Sequence, residues 1–156
     1  MNEGGKASIL VIDDDEGIRK VIAGALKTEG YTVDTASTGK EAIEKSRNNF
    51  YNLALVDIRL PDMDGTQLLT SMKETTPEMV KIILTGYPAL QNAVDAVNKG
   101  ADAYLVKPVN IPVLLQTVEQ HLKKQLEMKE FGQQKLAEFV ETRFKQLQAE
   151  EPDTEK

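Results

Sequence analysis

The sequence predicts an α/β fold, a doubly wound, five-stranded parallel sheet with a C-terminal helical extension. Two observations carry this. Short apolar runs alternate with longer segments of helical period along most of the chain, the pattern of repeated βα units. Four of those runs also end in a reactive polar residue. Ile9-Leu10-Val11-Ile12 runs into Asp13-Asp14-Asp15, and Leu53-Ala54-Leu55-Val56 into Asp57. Val80-Lys81-Ile82-Ile83-Leu84 runs into Thr85, and Tyr104-Leu105-Val106 into Lys107-Pro108. In an open parallel sheet the C-terminal strand ends share one edge, where ligands bind.

The elements follow in order. Strand one is expected near residues 8–12. The first helix places Ile18, Val21, Ile22, Ala25 and Leu26 on one face, takes Asp15 as its N-cap and stops near Gly30. Strand two runs from Tyr31 to Ala36, and the second helix starts after Thr38-Gly39 with Ala42, Ile43 and Ser46. Strand three is Leu53 to Val56. The third helix starts near Gly65, turns Leu68, Leu69 and Met72 inward, and is closed by Thr76-Pro77. Strand four spans Met79 to Leu84. The fourth helix starts near Pro88, a residue suited to a first helical turn, and ends at Gly100. Strand five is Asp102 to Val106. The fifth helix follows Asn110-Ile111-Pro112, with Leu114, Leu115, Val118, Leu122 and Leu126 in step. Past residue 126 the stripe loses phase, and Phe131-Gly132 interrupts it. A second stripe runs through Leu136, Phe139, Val140, Phe144 and Leu147. The expected organisation is a domain over 6–128, a helical extension over 129–149 and a frayed acidic tail over 150–156.

Bulk properties narrow the function. At 156 residues the chain holds one domain plus an extension, enough to bury a core without staples. With no cysteine there is no disulfide, thiolate metal site or cysteine nucleophile. A net charge of -6 argues against a nucleic-acid surface. No apolar run approaches the ~20 residues that span a bilayer. The first residues lack the apolar core of a signal peptide. A soluble, cytoplasmic protein with no membrane or nucleic-acid partner is expected.

The strand ends carry the chemistry. Two unit charges 4 Å apart repel by about 4 kcal/mol at an effective dielectric of about 20, so clustered carboxylates need a counter-charge or a proton. Hard oxygen ligands around a small opening suit Mg²⁺, and Mn²⁺ also fits. Asp57 is the candidate nucleophile, since a carboxylate can attack a phosphoryl group to give an aspartyl phosphate. Phosphoryl transfer is mainly positioning and charge neutralisation. Lys107 offers a fixed positive charge and Thr85 a hydroxyl. Each residue alone has an ordinary reading: a solvated acidic turn, an Asp capping its loop, a Thr bonding its own backbone, a surface lysine. The four together, in one order at one edge, outweigh those readings.

This arrangement resembles the receiver domain of two-component response regulators over roughly residues 8 to 125. The resemblance implies a flavodoxin-like strand order of 2-1-3-4-5. It makes Asp13 and Asp14 the acidic pair that holds Mg²⁺ with Asp57, and Asp57 the phosphorylated residue. It makes the backbone carbonyl of Arg59 a further metal ligand, Thr85 the switch hydroxyl, Lys107 the cation that precedes Pro108, and Tyr104 a rotamer switch. Pro61, Gly65, Gly86 and Gly100 stand where such domains have them. Leu84-Thr85-Gly86-Tyr87-Pro88 is most similar to receivers of the nitrogen-regulation type. The implied partners are a sensor histidine kinase or phosphotransfer protein and a downstream protein that reads the switched face. The implied role is a signalling domain rather than a turnover enzyme. Arg59 and Tyr87 flank the expected approach of a hydrolytic water. With about 30 residues after the main stripe of the fifth helix, a stand-alone receiver is expected.

A haloacid-dehalogenase-like, Mg²⁺-dependent phosphatase is the alternative, with Asp13 as nucleophile. Glu16-Gly17 continues its motif poorly, and no acidic pair ends a strand after Lys107. A flavodoxin-like cofactor module would want a phosphate loop where the three acids stand. A receiver degenerate in chemistry would lack stations that this chain has. His121, on the fifth helix, reads as a surface or interface residue. The stripe from Leu136 to Leu147 has three readings: a helix folded back on its domain, a homodimer contact, or a tail that orders on a partner.

Overall fold

The computed structural model describes residues 6–86, 96 and 98–150. The chain divides into two units, Met1–Leu122 and Lys123–Lys156. The first unit contains a five-stranded sheet: β1 (Ser8–Ile12), β2 (Thr32–Ala36), β3 (Leu53–Asp57), β4 (Val80–Thr85) and β5 (Ala103–Val106). All neighbouring pairs are parallel, and the order is β2-β1-β3-β4-β5, as expected. Helices α1 (Glu16–Thr28), α2 (Gly39–Asn48) and α3 (Gly65–Thr75) connect the first four strands, and a C-terminal helix spans Ile111–Glu150. The fourth helix expected near Pro88, and Tyr87, lie outside the described residues.

Alternation along each strand sends side chains to both faces, and both are covered. Leu10, Ile12, Ala54, Val56 and Ile83 share one cluster with Ala42 of α2 and Leu68, Leu69 and Met72 of α3. Ile9, Val11, Leu53, Leu55, Ile82 and Leu84 form the other with Ile22 and Leu26 of α1 and Leu114 and Val118 of the C-terminal helix. Strands β3 and β4 are buried at every position. Strand β2, at the sheet edge, is exposed at alternate positions.

The helix starts follow capping chemistry. The Asp15 side chain accepts from the Ile18 N–H at 3.0 Å, as expected for an N-cap. Thr38 caps α2, and Asp64 with Gln67 forms a capping box on α3. Gly30 and Gly100 adopt φ of 99° and 107°, which lets the chain turn before β2 and β5 without a Cβ penalty.

One expectation needed correction. Val21 is 59% exposed and Ala23 is buried, so the inward face of α1 is rotated from the one read in the sequence. Phe131-Gly132 breaks the stripe but not the helix, which continues to Glu150. One glycine in a helix costs about 1 kcal/mol relative to Ala, and the residues around Gly132 are good helix formers. Strand ends shift by one residue, and β3 takes in Asp57 itself.

Gly65 shows how closely α3 approaches the end of β3. Its N–H donates to the Ile58 carbonyl at 2.8 Å. A Cβ there would lie 2.6 Å from the Asp57 carbonyl oxygen and 2.7 Å from Ile58 Cα. Both are backbone atoms with no rotamer to give way. Gly65→Ala is therefore expected to lower stability by roughly 1–3 kcal/mol, read as a lower urea midpoint.

Candidate functional site

The edge is built by strand adjacency. Ile12 pairs with Val56, so the residues after them, Asp13 and Asp57, emerge side by side. Asp57 pairs with Leu84 and Thr85 with Val106, which brings Thr85 and Lys107 to the same edge. One carboxylate oxygen from each of Asp13, Asp14 and Asp57 lies within 4.8 Å of the others. Asp13 and Thr85 are fully buried, Asp57 is 5% exposed, and Asp14 is open to solvent.

Lys107 joins the cluster. Its Nζ donates to Asp13 Oδ2 at 2.8 Å and lies 3.4 Å from Asp57 Oδ1. Its backbone N–H donates to the Thr85 carbonyl at 2.7 Å, which ties the start of this loop to the end of β4. The Lys107-Pro108 peptide bond is cis. Asp13 is held on every side. Its Oδ1 accepts from the Asp15 N–H at 2.9 Å, its carbonyl accepts from Arg19 Nη1 at 2.7 Å, and its own N–H donates to the Ala36 carbonyl at 3.1 Å. Asp57 Oδ1 accepts from the Arg59 N–H at 3.2 Å.

Three carboxylates face one ammonium, and the ionisation of Asp57 and of Lys107 reflects it. Burial pushes the Asp57 carboxyl upward. The Arg59 N–H opposes this, the Asp13 charge adds to it, and Lys107 opposes it. The result is a carboxyl raised to about 6. Burial alone would lower the Lys107 ammonium. The hydrogen bond to Asp13 and the charges of Asp57 and Asp13 outweigh it and hold Lys107 above its ordinary value. The donor set is hard oxygen, carries more negative charge than Lys107 offsets, and is open at Asp14. These residues fit Mg²⁺, with Mn²⁺ as a chemical equivalent.

Tyr104, on β5 opposite Ile83, is half-buried and packs against the Leu10 side of the core. A His121 ring nitrogen lies 2.9 Å from the Thr117 carbonyl of its own helix. Two residues in the site's frame were not singled out from the sequence. Arg19 holds the Asp13 carbonyl. Asp62, in the loop after Asp57, accepts from the N–H groups of Gly39 and Lys40 at 2.8 and 2.9 Å and so ties that loop to the start of α2. Both amides lower the Asp62 carboxyl below its ordinary value. The need of α2 for an anion at its start was legible, whereas an acceptor more than twenty residues away was not.

Comparison with known proteins agrees with the geometry. Residues 9–119 match the response regulator receiver domain family. The transcriptional regulatory protein ZraR of Klebsiella oxytoca is 36% identical over 119 residues, covering 76% of this chain and 27% of that protein. The chain thus spans about a quarter of the length of the curated relatives it matches first. A CheY-like receiver domain structure from Methanospirillum hungatei is 45% identical with a TM-score of 0.76, covering 78% of this chain and 98% of that one. The structure of NtrX from Brucella abortus is 30% identical with a TM-score of 0.78, covering 81% of this chain and 29% of that one. The phosphatase alternative gains no support from these matches. The acid cluster bridged by a lysine, on a sheet of this order, and the family match over the same residues agree: the chain belongs to the response regulator receiver domain family.

Proposed function

We propose that Asp57 accepts a phosphoryl group from a sensor histidine kinase or a phosphotransfer protein, and that the change is read by a downstream protein. The carrying observation is Lys107 Nζ, seated between Asp13 and Asp57 in the acid cluster. In the transfer a carboxylate oxygen of Asp57 bonds to phosphorus as the donor's phosphorus–nitrogen bond breaks, and the electron pair leaves with the imidazole. Asp13, Asp14, Asp57 and the backbone carbonyl of Arg59 would hold Mg²⁺, which supplies charge neutralisation for the carboxylates and the incoming phosphoryl oxygens. Lys107 fixes a positive charge beside a phosphoryl oxygen, and the Thr85 hydroxyl donates to another. The chain takes up and loses one phosphoryl group as a signal rather than turning over substrate, and a cytoplasmic location goes with this role. Among the described residues no helix is long and apolar enough to cross a membrane. The test is mass spectrometry of the protein after incubation with a small phosphodonor and Mg²⁺. One added phosphoryl group is expected, and an unchanged mass would refute the reading.

Switching would run through Thr85 and Tyr104. Thr85 moves to the phosphoryl oxygens and Tyr104 turns inward into the space that opens. Hydrogen bonds to charged groups contribute roughly 1.5–3 kcal/mol, enough to shift a two-state equilibrium about ten- to a hundred-fold. Thr85→Ala should therefore keep uptake at Asp57 but lose most of the response around Tyr104, followed by its NMR ring signals. A full response in that variant would remove Thr85 from the switch.

A further inference from the structure

Arg19 bears on the acid cluster through the backbone rather than through a carboxylate. It is half-buried near the start of α1, and its Nη1 donates to the Asp13 carbonyl at 2.7 Å. Its neighbour Lys20 does what a helix-surface cation ordinarily does, pairing with Glu16 at 2.9 Å one turn back. Among the described residues no ion pair involves Arg19. Resting on the cation site read at Asp13, Asp14 and Asp57, we propose that Arg19 is a positioning residue that aims the Asp14 carboxylate into that site.

Asp14 is the exposed member of the cluster, and the peptides on either side of it are what fix it. On its C-terminal side the Asp15 N–H donates to Asp13 Oδ1 at 2.9 Å. On its N-terminal side the peptide carbonyl is that of Asp13, which Arg19 holds. Each peptide is a plane, so pinning both planes sets the two backbone dihedrals between them, and with them the direction in which the Asp14 side chain leaves the chain. The other groups of Asp13 locate Asp13 itself: Oδ2 accepts from Lys107, and its N–H donates to the Ala36 carbonyl. Arg19 is fixed at its own root, because its backbone N–H donates to the Asp15 carbonyl at 2.9 Å. The bond it makes to Asp13 is charge-assisted, the stronger kind of hydrogen bond. Without that hold an exposed carboxylate samples orientations turned to solvent, and a cation must order it before binding, which lowers affinity.

Titration of the full chain with Mn²⁺, followed by the paramagnetic resonance of the free ion, tests this. Binding of Mn²⁺ by the wild type is the test of the site itself. Arg19→Met keeps a long unbranched stem and drops the guanidinium, and it should bind about tenfold more weakly. The sign separates two causes. Removing a positive charge near a cation site strengthens binding when charge alone acts, so a loss of affinity marks lost positioning. Lys20→Met removes the same charge one residue along and should bind as tightly as the wild type or more tightly. Arg19→Lys, with a donor on a shorter stem, should lie between Arg19→Met and the wild type. In an Asp14→Asn background Arg19→Met should weaken binding by less than about twofold, because the ligand it aims is no longer charged. An Arg19→Met chain that binds as tightly as the wild type, with only its urea midpoint lowered, would overturn the inference and leave the site standing. Equal losses from Arg19→Met with Asp14 and with Asp14→Asn would also overturn it. A wild type that binds no Mn²⁺ would overturn the site, and the role of Arg19 with it.

Discussion

Asp57→Asn is expected to reduce phosphoryl uptake from a small donor to background, with the fold intact. The substituted amide keeps nearly the same shape in a site that is 5% exposed, so neighbouring strands need not move. What it loses is the nucleophile, because an amide oxygen does not form an acyl phosphate under these conditions. Asp13 cannot substitute for it. Asp13 is fully buried, with Oδ2 on Lys107 and Oδ1 on the Asp15 N–H. Asp14 is open to solvent and has no contact with Lys107 among the pairs described. The same variant separates a receiver from a phosphatase with Asp13 as nucleophile. A phosphatase would keep its chemistry in Asp57→Asn, and intact-mass measurement at matched donor and Mg²⁺ would show it.

The metal-free protein should lose stability as pH rises through about 6, and Asp57→Asn should not. In the fold the Asp57 carboxyl is raised to about 6 from an ordinary value of 3.8. Between those values the native state keeps a proton that the unfolded chain has released. Each step up in pH then favours the unfolded state, and the loss is complete about one unit above 6. A shift of this size corresponds to on the order of 2–3 kcal/mol at Asp57. Lys107 stays protonated throughout this window, so it does not reverse the sign. Mg²⁺ acts oppositely, because it binds the ionised cluster. At a hundred times its dissociation constant it adds about 2.7 kcal/mol. Urea unfolding should show wild type and Asp57→Asn converging near pH 4 and the variant more stable at pH 7.5 without metal. Mg²⁺ should stabilise the wild type at pH 7.5 far more than at pH 4.5. Parallel pH curves for the two proteins would show that Asp57 ionisation is not the strained group.

Much of the site was legible because strand ends are local signals. Asp13, Asp57, Thr85 and Lys107 each follow a short apolar run of strand length, and parallel pairing then places them together. The cap at Asp15 was legible for the same reason, as a hydrogen bond three residues long. The strand order was less so, since alternation fixes the α/β class but several orders satisfy it. Resemblance supplied the order, and the sheet has it. The bonds from Arg19 to the Asp13 carbonyl and from Asp62 to α2 were not legible. They depend on where loops settle after the strands pair, and no residue spacing encodes that. The exposed Val21 failed for a related reason. Helical period locates a stripe to within one residue or so, and Ala23 can fill the inward position as well as a larger neighbour.

Calorimetric titration of Mg²⁺ into the wild type, Asp13→Asn and Asp57→Asn addresses the acid cluster itself. The wild type should bind one ion at neutral pH, and each variant should bind at least about tenfold more weakly, because each removes a charged oxygen ligand from a cluster spanning 4.8 Å. A wild type that takes up no ion at millimolar Mg²⁺, or variants that bind as tightly as it does, would mean that these carboxylates do not form a cation site.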